Sequence, residues 1–186
     1  MTVERKQRCP WVKLNDPIYV KYHDEEWGVP LHDDHALYEL FILETFQAGL
    51  SWATILHKRE NFRRAYEGFI PARVAAFDAA KIEELMQDTG IVRNRRKIEA
   101  SITNSCVFLD IVREYGSFDA YIWGFTEGKS IRESWELRTT SPLSDRITKD
   151  LKRCGMKFIG STSIYSTLQA IGVLAAHAED CDWRLP

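Results

Sequence analysis

Four residues at the two ends of this chain are of metal-binding types. Cys9 and His23 stand near the start, and His177 and Cys181 near the finish. Two thiolates and two imidazoles make a closed tetrahedral zinc set. The i, i+4 spacing of His177 and Cys181 fits a helix and would put both side chains on one face. The front pair is separated by Trp11, Asp16-Pro17 and Tyr19 and is predicted to come from a loop. If all four hold one ion, the metal ties the N-terminus to the C-terminus. A zinc finger keeps its ligands close in sequence, so this is not that arrangement. The alternative is four unrelated residues, since cysteine is often simply buried.

A second cluster joins aromatic faces to one carboxylate. Tyr22-His23-Asp24-Glu25-Glu26-Trp27-Gly28-Val29-Pro30 is dense in rings and charge. Glu44 lies on or beside the apolar stripe of a helix that ends near Gly49-Leu50-Ser51-Trp52. A carboxylate there is costly unless paired or functional. Trp11, Trp27 and Trp52 taken singly read as core, and Glu44 as a buried cap or ion-pair member. Taken together, aromatic faces and one acceptor are what a pocket for a flipped base needs.

The third cluster is basic. Leu85 to Ile98 reads as helix, tight turn, helix, with Gly90 expected at positive φ at the end of the first helix. Arg93, Arg95, Arg96 and Lys97 follow at the start of the second. A helix N-terminus beside a glycine turn is an anion site, and a DNA phosphate is one such anion. This resembles a helix-hairpin-helix, with Arg93 standing where the commoner form has a second glycine. The alternative is a helix corner with a solvated basic face.

Placing these clusters needs helices. Asp33 or Asp34 is expected to cap a helix through Leu37, Leu40, Phe41 and Glu44 that ends at Gly49. Trp52, Ile55 and Leu56 start another, and Asp78 caps one through Ile82, Leu85 and Met86. Ile98, Ile102, Cys106 (or Ser105), Leu109 and Val112 make a 3.6-residue stripe on a long helix. Ser117 is expected to cap a short helix with Tyr121 and Ile122. Ser144 is placed just before a helix with Ile147 and Leu151, closed by Gly155. Thr162 or Ser163 opens a last helix running towards His177. No stretch alternates cleanly, so the fold class is all-α, with residues 126–143 as a long surface loop. Cys106 and Cys154 are expected in the core.

Composition narrows the classes. The 186 residues, 45% hydrophobic, suit one domain with a real core. No apolar run approaches the roughly 18 residues of a membrane span, and the start lacks a signal peptide's apolar stretch. Cysteines without a signal argue for reduced thiols and metal, hence the cytoplasm. A net charge of -2 argues against a protein that coats nucleic acid, but allows a local basic patch.

Arg8-Cys9-Pro10-Trp11-Val12, Tyr22 to Pro30 and Glu44 to Trp52 resemble signature segments of bacterial 3-methyladenine DNA glycosylase I. So do Gly90 to Ile98, Gly155-Met156-Lys157-Phe158-Ile159-Gly160 and the terminal His177-x-x-x-Cys181. The resemblance covers essentially the whole chain. It implies an all-α helix-hairpin-helix glycosylase fold in a single domain, 1–186. The hairpin would lie at about 79–114, with zinc tying segments 1–30 and 161–186 through Cys9, His23, His177 and Cys181. By the same resemblance Trp11, Tyr19, Tyr22, Glu44 and Trp52 line the base pocket, and Gly49 and Leu50 enter the duplex. Gly90, Arg93, Arg95, Arg96 and Lys97 would hold DNA phosphates.

The implied reaction is hydrolysis of the N-glycosidic bond of 3-methyladenine in alkylated double-stranded DNA. It releases the free base and leaves an abasic site. Methylation at N3 makes the base cationic, so it leaves as a neutral molecule without a general acid. Glu44 would either accept the exocyclic N–H or orient water. Asp110, the aspartate downstream of the hairpin, is expected on an outer helix face and without a part in the reaction. No lysine stands in the resembling pocket segments to form a Schiff base, so no lyase step is expected. A monomer with no required protein partner is expected. Two rivals are a zinc hydrolase, which would need an open coordination position, and a non-enzymatic nucleic-acid-binding module.

Overall fold

The computed structural model describes residues 6–133 and 138–184. The outermost ends of the two predicted terminal segments and part of the predicted loop 126–143 lie outside the described residues. Helix α1, Pro17–Glu25, begins at Asp16, whose carboxylate accepts from Tyr19 N–H, with proline in the first turn. Helix α2, Asp34–Gln47, is capped by Asp33. Every residue of α2 from Leu37 to Phe46 is buried, so it is a central helix with no solvent face. Helix α3, Trp52–Ala65, starts at Ser51 after a tight turn. A 3-10 turn, Glu67–Phe69, and a short helix α4, Pro71–Ala75, lead to α5, Ala79–Gln87, and the long α6, Arg95–Tyr115. Helices α7, Phe118–Gly124, α8, Pro142–Arg153, and α9, Ser161–Ala170, complete the set. Helix α2 is packed by α3, α6, α7 and α9. No helix of the described residues is long and apolar enough to cross a membrane.

Several local expectations are corrected. Two-residue strands β1, Ile131–Arg132, and β2, Leu174–Ala175, pair in parallel, so the chain is mostly rather than wholly helical. A pair this short leaves no alternation to read in sequence. Helix α8 starts earlier than expected: Ser141 is its cap and Ser144 closes a reciprocal capping box from inside it. Helix α9 begins at Ser161 and stops at Ala170, well before His177. Gly172 then turns the chain at φ +76, where a Cβ would lie 2.6 Å from Pro30 N.

The buried face of α6 also differs from the predicted stripe. Ile98 and, of the two alternatives, Ser105 are buried as expected, but Ser101, Phe108 and Ile111 complete the inner face. The serines tolerate burial because they are hydrogen-bonded. Tyr66 donates to Ser101 Oγ at 3.1 Å and Tyr38 to Ser105 Oγ at 2.6 Å, and each serine donates back to its own helix. Ile102 and Leu109 are half-buried. Cys106 and Cys154 are exposed, not core.

An ion cluster centred on the buried Glu39 joins α2 to α3. Glu39 accepts from Arg59 Nε at 2.5 Å and from Arg63 Nη2 at 2.8 Å, and Arg59 also reaches Glu26 at 2.6 Å. Burial pushes the Glu39 carboxyl up, but the two arginines outweigh it and hold it below its ordinary value. Removing the carboxylate leaves the half-buried Arg59 with Glu26 alone and takes the central partner from Arg63, so Glu39→Ala should cost roughly 1–3 kcal/mol in urea unfolding. A depressed folded pKa gives stability that is present above the ordinary carboxylate range and lost as pH falls through the folded value. The deficit of Glu39→Gln against the parent should therefore shrink in acid. A deficit that stays constant on acidification would dismiss this ion pair as a contributor.

Candidate functional site

A cavity of about 200 Å³ opens between α1, α2, α3 and α9. Three helices supply i, i+3 pairs on their inner faces: Tyr19 and Tyr22, Glu44 and Gln47, Ser166 and Gln169. Trp52 enters from the first turn of α3, and Trp11 and Trp27 from the coils either side of α1. Trp11 meets Tyr19 and Trp27 edge-on at 5.5 and 4.8 Å, and Tyr22 lies 5.5 Å from Trp52. The cavity is therefore a ring of aromatic faces with a carboxylate in its lining. It brings together the five residues expected of it, Trp11, Tyr19, Tyr22, Glu44 and Trp52, and adds four. Gln47 could have been found one helical turn after Glu44. Trp27 stood inside a segment already marked as aromatic. Ser166 and Gln169 carried no sequence signal, because α9 is far away in the chain.

Glu44 is 5% exposed, and its Oε2 has no hydrogen-bond partner. Burial alone pushes its carboxyl up to about 8. Trp52 Nε1 is likewise buried without a partner. Buried polar atoms are ordinarily satisfied, so two orphans lining one cavity mark a place shaped for a polar guest. Burial, with Glu44 beside them, also raises the Tyr19 and Tyr22 phenols, which keeps them as neutral donors.

Behind the aromatic wall, Cys9, His23, His177 and Cys181 converge, all buried, with ligand atoms within 4.8 Å of one another. His177 Nδ1 lies 3.4 Å from each sulfur, and Cys181 Sγ lies 3.6 Å from His23 Nε2. Zinc bonds to sulfur and imidazole at tetrahedral angles require S···N edges of about 3.6 Å. The set could hold a metal ion. Each ring is oriented by its far nitrogen. His23 Nδ1 is 2.8 Å from Asp24, itself gripped by Arg8, and His177 Nε2 is 3.2 Å from Trp27 O. Burial raises the Cys9 thiol to about 12 and lowers His177 to about 4, so a bound cation is what would make the Cys9 thiolate favourable here.

The local geometry of this set differs from the sequence expectation. His23 belongs to the last turn of α1 rather than to a loop, and Cys9 comes from coil. His177 and Cys181 are not helical. Their i, i+4 spacing spans a turn in which Cys181 N–H donates to Ala178 O at 3.0 Å. Gly28, at φ +79, lets the backbone press on the His177 ring, where a Cβ would fall 2.8 Å from Nε2. The cluster and the cavity share a wall, since Trp27 packs on His177 at 4.6 Å and Trp11 on His23 at 5.3 Å.

The basic segment joins α5 to α6 through residues 88–94. Gly90 does not take positive φ. Glycine is needed there for close approach instead, because a Cβ would meet Asp88 Oδ1 at 2.9 Å and Asn61 at 3.1 Å. Asn94 caps α6. Arg93, Arg95 and Arg96 are exposed, with Arg95 paired to Glu83 at 2.6 Å. Lys97 is not on that surface. It is 6% exposed and donates to Phe46 O at 2.8 Å and Ala48 O at 2.5 Å, because helical periodicity turns it inward against the end of α2. Gly49, at φ +79, and the exposed Leu50 form the turn between Gln47 and Trp52, at the cavity's edge. Asp110 is exposed and paired with Arg113, on the outer face as expected.

Residues 11–185 match the methyladenine glycosylase family model. The chain is 41% identical over 182 residues to DNA-3-methyladenine glycosylase 1 of Escherichia coli, covering 94% of this chain and 95% of that one. It is 40% identical over 178 residues to DNA-3-methyladenine glycosylase of Haemophilus influenzae, covering 94% and 96%. A crystal structure of a 3-methyladenine DNA glycosylase I superposes with a TM-score of 0.92 at 43% identity, over 96% of this chain and 100% of that one. A Staphylococcus aureus glycosylase I structure, solved to explain 3-methyladenine recognition, superposes with a TM-score of 0.89 at 39% identity, over 92% and 93%. With the fold and nearly the full length of the sequence in agreement, the chain belongs to the methyladenine glycosylase family.

Proposed function

We propose that this protein excises 3-methyladenine from alkylated double-stranded DNA by hydrolysing the N-glycosidic bond, leaving an abasic site. The observation that carries this reading is Glu44: a buried carboxylate with an unpartnered oxygen among aromatic faces. A 3-methylated adenine still joined to its sugar is a cation. It can stack on Trp11, Trp52 and the tyrosines, a contact worth about 2 kcal/mol when dry. Its charge draws Glu44 into the ionised form, which accepts the exocyclic N–H. Neutral adenine brings no charge to offset that ionisation, so it is discriminated against. The bond electrons pass into the ring, the neutral base departs, water adds at the sugar carbon, and a proton leaves to solvent. The protein need only extrude, hold and admit water.

Residues 79–114 serve in this reading as a helix-hairpin-helix, with Arg93, Arg95 and Arg96 on phosphates; the Gly90 N–H, expected to join them, is instead held by Asp88 Oδ1 at 2.7 Å. Gly49 and Leu50 fill the place of the extruded nucleotide. Cys9, His23, His177 and Cys181 hold one zinc whose role is structural, since four protein ligands leave no open position for water. The whole chain acts as one domain, a monomer in the bacterial cytoplasm.

Three outcomes test this. Elemental analysis of freshly purified protein should give one zinc per chain. Cys181→Ala should lose on the order of 4 kcal/mol of stability, the scale for releasing so long a closed loop; unchanged melting would remove the zinc from the account. Alanine at Arg93, Arg95 or Arg96 should weaken binding to every DNA sequence alike and lower the salt slope by about one unit for each true phosphate contact. Three parent-like slopes would leave the segment a mere basic corner.

Free-base release from methylated duplex should fall in Glu44→Gln, and in Trp52→Ala by roughly 1–3 kcal/mol of base capture. Glu44 has a raised folded pKa, so its contribution to stability is complete below the ordinary glutamate value and lost as pH rises through about 8. Between about pH 5 and pH 9 the ligand-free parent should therefore lose a few kcal/mol that Glu44→Gln keeps. Parallel stability curves and equal release rates would show that Glu44 has been assigned the wrong place.

A further inference from the structure

We propose that Lys97 is a positioning residue: its ammonium fixes the end of α2, and with it Glu44, Gln47 and the Gly49–Leu50 turn, to the helix that bears the hairpin arginines. The inference rests on the base-excision reading above. A helix leaves its last carbonyls without intrahelical partners, and its C-terminus attracts cations. Helix α2 has no basic residue in its own last turn. The cation comes instead from the first turn of α6, through the bonds to Phe46 O and Ala48 O at 2.8 and 2.5 Å. Those carbonyls flank Gln47, which lines the cavity, and Glu44 lies one turn upstream. Gln47 continues the chain of contacts, since its Nε2 donates to Leu50 O at 2.9 Å and its carbonyl accepts Leu50 N–H at 2.7 Å.

At the other end of the link, Lys97 follows directly on Arg95 and Arg96. Its backbone N–H is held by the Asn94 cap at 3.2 Å. Two bonds of one ammonium therefore separate the phosphate-holding corner from the cavity lining. Lysine suits the place because an ammonium offers several donors to converging carbonyls. With the corner set on the backbone, this link sets where Glu44 and Leu50 stand relative to the duplex. A displacement of about 1 Å at a reacting centre is enough to cost up to a hundredfold in rate.

The test compares parent, Lys97→Met and Lys97→Arg. It measures affinity for undamaged duplex at several salt concentrations and single-turnover release of 3-methyladenine at saturating enzyme. The methionine keeps the stem and removes the charge, and the arginine keeps the charge but shifts the donors. Affinity and salt slope should stay at parent values in both. The saturating rate constant should fall on the order of ten- to a hundredfold in Lys97→Met and by less in Lys97→Arg. A salt slope lower by about one unit would make Lys97 a phosphate contact and overturn the proposal. Parent-like release by folded Lys97→Met would overturn it too. If Lys97→Met does not fold, Lys97→Arg decides: a reduced saturating rate with unchanged slope supports the link, and a parent-like rate overturns it. A parent that releases no methylated base fails the base-excision reading itself and takes this inference with it.

Discussion

A carboxyl buried without a counter-charge is the constraint on which the cavity depends, and the elements around it hold it in place. Glu44 sits on a helix with every residue from Leu37 to Phe46 buried. Left alone, such a group neutralises, which is what its elevated pKa expresses. The cations of the surrounding helices are held elsewhere. Arg59 and Arg63 are held by Glu39, and Lys97 by the carbonyls at the end of α2. The cavity is thus left with an acceptor whose natural partner is a positive guest.

The aromatic wall that faces this carboxylate depends on the chain ends. Trp11 and Trp27 flank α1, and each leans on an imidazole of the cysteine–histidine set. That set unites residues from opposite ends of the sequence, so the wall is anchored at its back by long-range contacts. The short strand pair serves the same region, carrying the chain from α9 into the turn of His177 and Cys181. Helix α6 is tied to α2 and to the end of α3 through polar contacts. Ser101, Ser105 and Lys97 on its inner face each meet a tyrosine hydroxyl or a carbonyl of a neighbouring element. A polar helix face of this kind fixes register more sharply than an oily one, because each misplaced bond leaves a buried group unsatisfied.

The sequence by itself determined several helix starts, because capping is local. Asp33, Asp78 and Ser117 each hold an amide three residues on, as their spacing implied. It also determined the residues that could bear chemistry. Glutamate in an apolar helix, tryptophans nearby and paired cysteines and histidines are visible as types before any fold is known. What only the tertiary structure decided are the matters that depend on which neighbour a side chain meets. On α6 the structure chooses Ser105 over Cys106 for the inner face and adds Ser101, because two tyrosines stand opposite these serines, while Cys106, a common core residue, faces outward. Lys97 reads as one of four surface cations until the end of α2 is brought against it. His177 and Cys181 have helical spacing, yet the helix before them stops at Ala170, and Gly172 then turns the chain at φ +76 where the backbone of Pro30 leaves no room for a Cβ. Ser166 and Gln169 reach the cavity only because α9 packs on α2. Local bonding can be read along a chain; burial, orientation and shared cavities are properties of pairs of elements, and they exist only once those elements have met.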